Sequence, residues 1–138
     1  MPSYARLHLL LVHFPIALLV MATLLDWYEC WRNRSNGPTV TLFGIGVLSA
    51  WLSVATGLLN RNWQVGHGLL DTDELQVLST RHLWLSVSAS IIFTAVFALK
   101  YWNKSAPVPR WGYALQAIGF VLLLVATHLG GTLAHGAT

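Results

Sequence analysis

The stretch Leu7–Trp27, LHLLLVHFPIALLVMATLLDW, decides the fold of this chain. Its one acid, Asp26, comes next to last, and a helix of about 20 mostly apolar residues is long enough to cross the hydrocarbon core of a bilayer. Arg6 before the run would also suit a cleaved signal peptide. The run is too long for that, however, and it ends in Asp-Trp-Tyr-Glu-Cys rather than in small residues. We therefore expect a retained transmembrane helix.

Three more segments of this kind follow, separated by linkers rich in turn-forming and charged residues. Of the whole chain 55% is hydrophobic and only 9% is charged, whereas an ordinary soluble domain carries about 25% charged residues. The sequence predicts an all-α fold, a single integral membrane domain over residues 1–138 that forms an up-down-up-down four-helix bundle in contact with lipid. The predicted spans are Leu7–Trp27, Val40–Leu59, Leu83–Trp102 and Trp111–Gly131.

The composition also excludes several classes of function. The net charge of +3 comes from a scarcity of acids rather than from a basic stripe, which argues against nucleic acid as a partner. Cys30 is the only cysteine, so neither an intramolecular disulfide nor the Cys-x-x-Cys-His attachment of a c-type haem is possible. No Ser-His-Asp or phosphate-binding motif stands out. The acids Asp71, Asp73 and Glu74 are expected to cap the third helix. The sequence therefore favours an electron-transfer protein or a subunit over a stand-alone enzyme.

The lysines and arginines of the loops indicate the orientation, because cytoplasmic loops carry an excess of them. The first and third loops with their flanks hold more of these cations than the amino terminus and the second loop, where acids dilute them. We therefore expect loops one and three in the cytoplasm and both termini outside. The cations of the first group are Arg32, Arg34, Lys100, Lys104 and Arg110, and those of the second are Arg6, Arg61 and Arg81.

All histidines fall at one face of the predicted bilayer. Because the four spans alternate in direction, the start of the first, the end of the second, the start of the third and the end of the fourth share that face. By the orientation above it is the periplasmic face. Ionisable groups within spans are functional candidates by default, and convergence from several helices is what a metal or haem site requires. The histidines are His8, His13, His67, His82, His128 and His135.

Depth and position select a first pair among these histidines. At a rise of 1.5 Å per residue, His13 lies roughly 9 Å inward from Leu7, where a neutral imidazole needs a metal or a hydrogen-bond partner. His82 opens the third predicted span. The first and third helices of an up-down bundle are usually diagonal, so His13 and His82 are predicted to bind iron from opposite sides.

The remaining histidines are open to more than one interpretation. His8, His128 and His135 would form a second axial pair or contact haem propionates. The alternative for each is an interfacial position, or a hydrogen bond to Ser or Thr on a neighbouring helix. His67 lies in a polar loop and is expected to be a bystander.

Small residues and arginines surround the histidines. A stripe of small residues along the second span allows close helix packing, and it would equally leave room for a flat macrocycle. Arg6, Arg61 and Arg81 share the histidine face, where they would pair with haem propionates or snorkel to the interface. Pro15 removes a hydrogen bond to the carbonyl of Leu11 and is expected to bend the first span. The stripe is Gly46, Ala50, Ser53, Gly57 and Asn60.

Several segments of the chain resemble one known family. The segment His8–Ala17, HLLLVHFPIA, is similar to the opening motif of a bacterial four-span membrane family of unknown function (DUF2231-like). Ala55–Leu59, Arg81-His82 and Gly130–Gly136 resemble its other landmarks in the same order. The resemblance covers nearly the whole chain and implies a multi-pass protein of the bacterial inner (cytoplasmic) membrane.

This resemblance also implies a cofactor. The family is associated with b-type haem and sometimes with c-type cytochrome modules, and its recurring histidines match His8, His13, His82 and His135. This chain departs from the family pattern at two positions. Asn60 stands where the family commonly has an acid, and His128 stands where an aromatic or other residue is more usual.

Three functions are consistent with the sequence. The first is a membrane cytochrome with one or two haems b held by pairs of histidines, which relays electrons near the periplasmic face between a quinol pool or membrane complex and a periplasmic carrier. The second is a zinc or copper site, since imidazole suits both metals. The third is a structural subunit of a larger respiratory or photosynthetic complex. The candidate metal ligands are His8, His13, His82, His128 and His135.

Overall fold

Four long helices make up the described part of the chain. The computed structural model describes residues 8, 10–32, 38–70, 72–103 and 109–136. Of residues 135 and 136 it describes the backbone without the side chains. Within these residues there is no strand. The predicted all-α fold with four helices is confirmed. The helices are α1 (His13–Trp31), α2 (Thr39–Gly66), α3 (Asp73–Trp102) and α4 (Arg110–Gly136).

The helices pack in chain order and close into a bundle. α1 packs against α2, α2 against α3, and α3 against α4, and α4 returns to contact α1. Contacts at the two ends show the alternating directions. His8, ahead of α1, meets Thr56 in the second half of α2, whereas Asp26 near the end of α1 meets Lys100 near the end of α3. The arrangement is therefore the predicted up-down-up-down bundle.

The hydrophobic core lies midway between the two ends. Phe43 of α2 and Phe93 of α3 are fully buried, with ring centroids 6.1 Å apart. Leu19 and Ala22 of α1 and Val96 of α3 pack around them. These residues come from the apolar spans at helical spacing, so burial of their side chains aligns three of the helices.

The outer surface of the bundle is apolar as well. All four helices are long and apolar enough to cross a membrane. Large hydrophobic side chains point outward, for example Leu48 with 69% of its surface exposed and Val121 with 57%. A bundle that is apolar inside and outside suits lipid as its surroundings, which confirms the prediction of a membrane protein with four transmembrane helices.

The second and third helices are longer than the predicted spans. The sequence predicts a linker over 60–82, but α2 continues to Gly66 and α3 already begins at Asp73. His82 therefore does not open the third helix but lies well inside it. With 28 and 30 residues, the two helices are about 42 and 45 Å long, more than the roughly 30 Å of the hydrocarbon core.

Local signals rather than hydropathy set these helix ends. Gly68 adopts a φ of 67°, and Leu69 N–H donates to the carbonyl of Gln64 at 3.0 Å, as in a Schellman C-cap. At the start of α3, the Thr72 hydroxyl accepts from Leu75 N–H at 3.3 Å. Asp73 and Glu74 occupy the first turn of α3, as the dipole favours, and Asp71 lies outside the described residues.

The amino-terminal histidine stands apart from the first long helix. Val12 N–H donates to the carbonyl of His8 at 3.0 Å, so a helical turn precedes α1. The helix is interrupted at Val12 and resumes at His13, which puts Pro15 in the first turn of α1. A proline is tolerated there because the N–H it lacks would have no intrahelical partner.

Candidate functional site

His8 is held by the second helix. Its Nδ1 lies 3.2 Å from Thr56 Oγ1. The single hydroxyl hydrogen of Thr56 is shared between the carbonyls of Leu52 and Ser53, at 3.0 and 3.1 Å. Because that hydrogen is committed, the Thr56 oxygen accepts and His8 Nδ1–H donates. In a neutral ring this leaves a lone pair on Nε2.

His82 has the same ring polarity, fixed by the fourth helix. Its Nδ1 lies 2.8 Å from the carbonyl oxygen of Ala126. A carbonyl can only accept, so Nδ1 carries the proton and the Nε2 lone pair stays available in the neutral ring. Histidines that bind metals or haem iron usually have this arrangement, in which the second nitrogen donates to a carbonyl or another fixed acceptor.

Both rings rest on glycines of a neighbouring helix. A Cβ added at Gly57 would lie 2.9 Å from Cε1 of His8, and one added at Gly130 would lie 2.8 Å from Cε1 of His82. These separations are too short for a real methyl group, so the absence of a side chain at both positions allows the rings to dock. Gly57 and Gly130 belong to the segments whose resemblance to the family was noted above.

The two docked histidines lie within electrostatic range of each other. His8 lies ahead of the first membrane-spanning helix. Burial lowers its pKa below the ordinary value of 6.5, and repulsion by His82 lowers it further, against a smaller rise from a hydrogen bond to the Ser53 backbone. The neutral form of the ring is therefore favoured, and this is the form that coordinates a metal.

Of the other predicted ligands, two are exposed and one has a side chain outside the described part of the chain. His13 and His128 are exposed on the bundle surface. His67 is exposed at the end of α2, where Nδ1 lies 2.8 Å from the Trp63 carbonyl and the two rings stack at 4.4 Å. The His135 side chain lies outside the described residues. Within the described residues, no three His, Cys, Asp or Glu side chains form a group that could hold a metal ion. The structure thus brings His82 together with His8, and the predicted pairing with His13 stays a prediction.

Unpartnered polar atoms mark the same end of the bundle. Arg61 Nη2 donates to Thr80 Oγ1 at 3.1 Å. Arg61 Nε, Asn60 Oδ1 and Ser53 Oγ are buried and have no hydrogen-bond partner among the residues that the structure describes. Buried polar atoms of this kind call for a ligand or water. Of the other predicted anion-binding arginines, Arg81 is exposed and Arg6 lies outside the described residues.

At the opposite end, the structure shows a polar cluster that the sequence reading missed. Lys100 donates to Asp26, and Gln116 Nε2 donates to the same carboxylate at 2.6 Å. All three residues are buried. Lys100 was counted with the loop cations for the orientation, but it is an internal partner. The sequence did contain a signal for this cluster, because Asp26 and Gln116 are polar residues inside apolar spans.

The sequence of the chain matches the model of one protein family. The model of a family described as "Predicted membrane protein (DUF2231)" matches residues 5–137 of this chain. No curated protein and no solved structure matches the chain. Because the family model covers nearly the full length, the chain belongs to the DUF2231 family of predicted membrane proteins.

Proposed function

Within this family of membrane proteins, we propose that the chain is a b-type cytochrome in which His8 and His82 would hold one haem. The observation that carries the proposal is the shared polarity of the two rings. Each donates Nδ1–H to a fixed acceptor, at 3.2 Å for His8 and 2.8 Å for His82. Each therefore keeps its Nε2 lone pair for a ligand.

The residues present fit such a group. Two imidazoles from different segments are the donor set of a six-coordinate haem, which supplies a one-electron redox centre when bound. Gly57 and Gly130 let the rings sit close to the helix backbones. The unpartnered Nε of Arg61 provides a donor for a carboxylate such as a propionate. Arg81 is a further candidate at the same end, and Arg6, which lies outside the described residues, stays a candidate from the sequence.

The role proposed for the site is electron transfer. A haem held by His8 and His82 would supply a one-electron centre suited to relaying electrons. We place the histidine end at the periplasmic face of a bacterial inner membrane. There it would pass electrons from a quinol pool or membrane complex to a periplasmic carrier such as a c-type cytochrome. His13, His128 and His135 are left for a second haem.

An absorption spectrum of the purified protein, oxidised and then reduced with dithionite, is the first test. The proposal expects the split bands of a low-spin haem b. Replacing His8 or His82 with Ala should abolish the low-spin signal, while His67→Ala serves as the matched control and should leave it intact. A colourless protein with stoichiometric zinc or copper would overturn the cytochrome and support the alternative metal site.

A further variant, His13→Ala, decides between the two candidate pairs of haem ligands. If His13→Ala abolishes the low-spin signal and His8→Ala does not, the pair is His13 with His82. A preparation that holds neither haem nor metal would leave the third alternative, a structural subunit of a larger respiratory or photosynthetic complex.

A further inference from the structure

Charged and polar side chains from three helices meet at the end of the bundle opposite the histidines. Lys100 of α3 donates to one carboxylate oxygen of Asp26 in α1, and Gln116 of α4 donates to the other at 2.6 Å. The exposed fractions of Lys100, Asp26 and Gln116 are 0%, 1% and 0%. The Phe43 ring of α2 lies 5.9 Å from Lys100 Nζ, so all four helices enclose the group. Asp26, Lys100 and Gln116 are called the ion-pair cluster below.

Stability alone explains such a cluster poorly. Removing charges from water is costly, and apolar replacement of a whole buried pair is often neutral or stabilising. A cluster of this kind inside transmembrane helices is therefore a candidate for a function that needs the charges. Proton binding is one such function, because a carboxylate can change its charge without moving.

The amide of Gln116 is suited to both charge states of Asp26. Its Nε2 donates to the carboxylate, whereas its Oε1 is buried and has no hydrogen-bond partner among the described residues. An amide carries donors on nitrogen and an acceptor on oxygen. After rotation of the amide by half a turn, Oε1 would accept from a protonated Asp26. The orphaned acceptor is thus the partner that the protonated carboxyl needs.

Protic groups lie between the cluster and the aqueous end of the bundle. Tyr113 of α4 lies within electrostatic range of Cys30, Asp26 and Glu29 of α1. Cys30 is exposed. The Thr39 hydroxyl, at the start of α2, donates to Glu29 Oε2 at 3.4 Å. These residues form a polar connection from the buried carboxylate towards the surface.

Among the described residues, few ionisable groups lie near Asp26. α2 contributes none at this end, because its only ionisable residue, Arg61, lies at the histidine end. The exposed Arg110, at the start of α4, is a surface cation. Lys100 of α3 pairs with Asp26, and Tyr113 of α4 lies within electrostatic range of it. Glu29 and Cys30 of α1 lie within the same range of Tyr113.

We propose that the ion-pair cluster is a proton-binding site that exchanges with water at the end of the bundle formed by the α1–α2 and α3–α4 connections. A proton from water passes Tyr113 or Glu29 and binds Asp26 Oδ2. Gln116 then turns its Oε1 towards that proton, while Lys100 remains an ammonium ion on Oδ1. The net charge of Asp26 and Lys100 rises from zero to +1, and the proton leaves by the same way. No electron moves, so the site does not depend on the proposed haem.

Carboxyl ¹³C NMR of the full chain in lipid nanodiscs tests this proposal. The chain has three aspartates, Asp26, Asp71 and Asp73, so aspartate labelling gives three carboxyl signals, and Asp26→Asn identifies the buried one. The expected result is an Asp26 signal that moves with pH while the protein stays folded. A signal that stays at the ionised position while the other two titrate would overturn the proposal and leave a static salt bridge. If Asp26→Asn fails to fold, Asp26→Asn/Lys100→Met assigns the signal instead.

A second variant tests the connection to water. Tyr113→Phe should leave the equilibrium titration of the Asp26 signal in place but slow proton exchange, seen as separate signals for the two states. Tyr28→Phe, an exposed tyrosine at the same end, is the matched control and should exchange as the unmodified protein does. Equal exchange in both variants would overturn Tyr113 as part of the route.

Discussion

At the histidine end, two imidazole rings donate Nδ1–H to a hydroxyl and a carbonyl, and several buried polar atoms keep no partner among the described residues. At the opposite end, two opposite charges and an amide pair with one another. The first arrangement leaves capacity for a ligand, whereas the second compensates its charges within the protein. Two ends of one small bundle can therefore bury polar groups for different purposes, and each can be altered without touching the other.

Breaking the ion pair should have the largest effect. Lys100→Met leaves the Asp26 charge buried without its cation, which costs about 3–5 kcal/mol. The free energy of unfolding, measured in detergent or bicelles, should fall by this order. The double variant Asp26→Asn/Lys100→Met removes both charges and should recover most of the loss. If the single variant were as stable as the unmodified protein, the charges would not be compensated within the cluster.

Steric crowding of His82 should have the second largest effect. In Gly130→Ala the new Cβ would lie 2.8 Å from Cε1 of His82, so the ring must move, at a cost of about 1–3 kcal/mol. Haem retention should fall in parallel if His82 is a ligand. Gly131→Ala is the matched control, because a Cβ added there would have no neighbour within 4 Å among the described residues. Equal effects of the two substitutions would contradict the docking of His82 on Gly130.

Removing a ring acceptor should have a smaller effect. Thr56→Val keeps the shape of the side chain but loses the oxygen that accepts from His8, which costs about 1 kcal/mol. ¹⁵N NMR of labelled histidine should show His8 losing its preference for the Nδ1–H form. Thr127→Val, in which the lost hydroxyl donated to the Leu123 carbonyl of its own helix, should leave the His8 signals unchanged. An unaltered tautomer in Thr56→Val would show that another contact fixes the ring.

Acidification should act on the histidine end with the smallest effect. Folding lowers the pKa of His8 from 6.5, chiefly through burial, so the folded state binds fewer protons than the unfolded state between the two values. The stability contributed by the neutral ring is present above 6.5 and is lost as the pH falls towards the folded-state value. His8→Asn should show a shallower loss of stability on acidification, measured in parallel unfolding titrations. Identical pH profiles would mean that His8 is not desolvated.

Helix lengths show where the sequence reading was incomplete. Hydropathy locates the part of a helix that needs lipid, and all four spans were found in this way. It does not report where a helix ends in water. The continuation of α2 to Gly66 depends on the C-cap at Gly68, and the start of α3 on the N-cap Thr72. His82 was expected at a helix start for this reason, and it lies inside α3 instead.

The sequence also did not indicate which side chains of different helices contact each other. Helical periodicity indicates which residues share a face, but the rotation of each helix in the bundle decides which faces meet. His8 contacts Thr56, 48 positions away, and Lys100 contacts Asp26, 74 positions away. The sequence favoured His13 as the partner of His82 because diagonal helices would place the two rings opposite each other. His8 and His82 are the pair that the structure docks on glycines.

By itself, the sequence determined four apolar helices and, through their alternation, one end of the bundle rich in histidine. This follows from the length of helix that a bilayer requires and needs no knowledge of packing. The tertiary structure alone decided which rings are held as Nδ1–H donors and which charges face each other, since these depend on close approach between helices at single positions such as Gly57 and Gly130. Asp26 and Lys100 show the same division, because the sequence contains both charges but only the packed bundle brings them together.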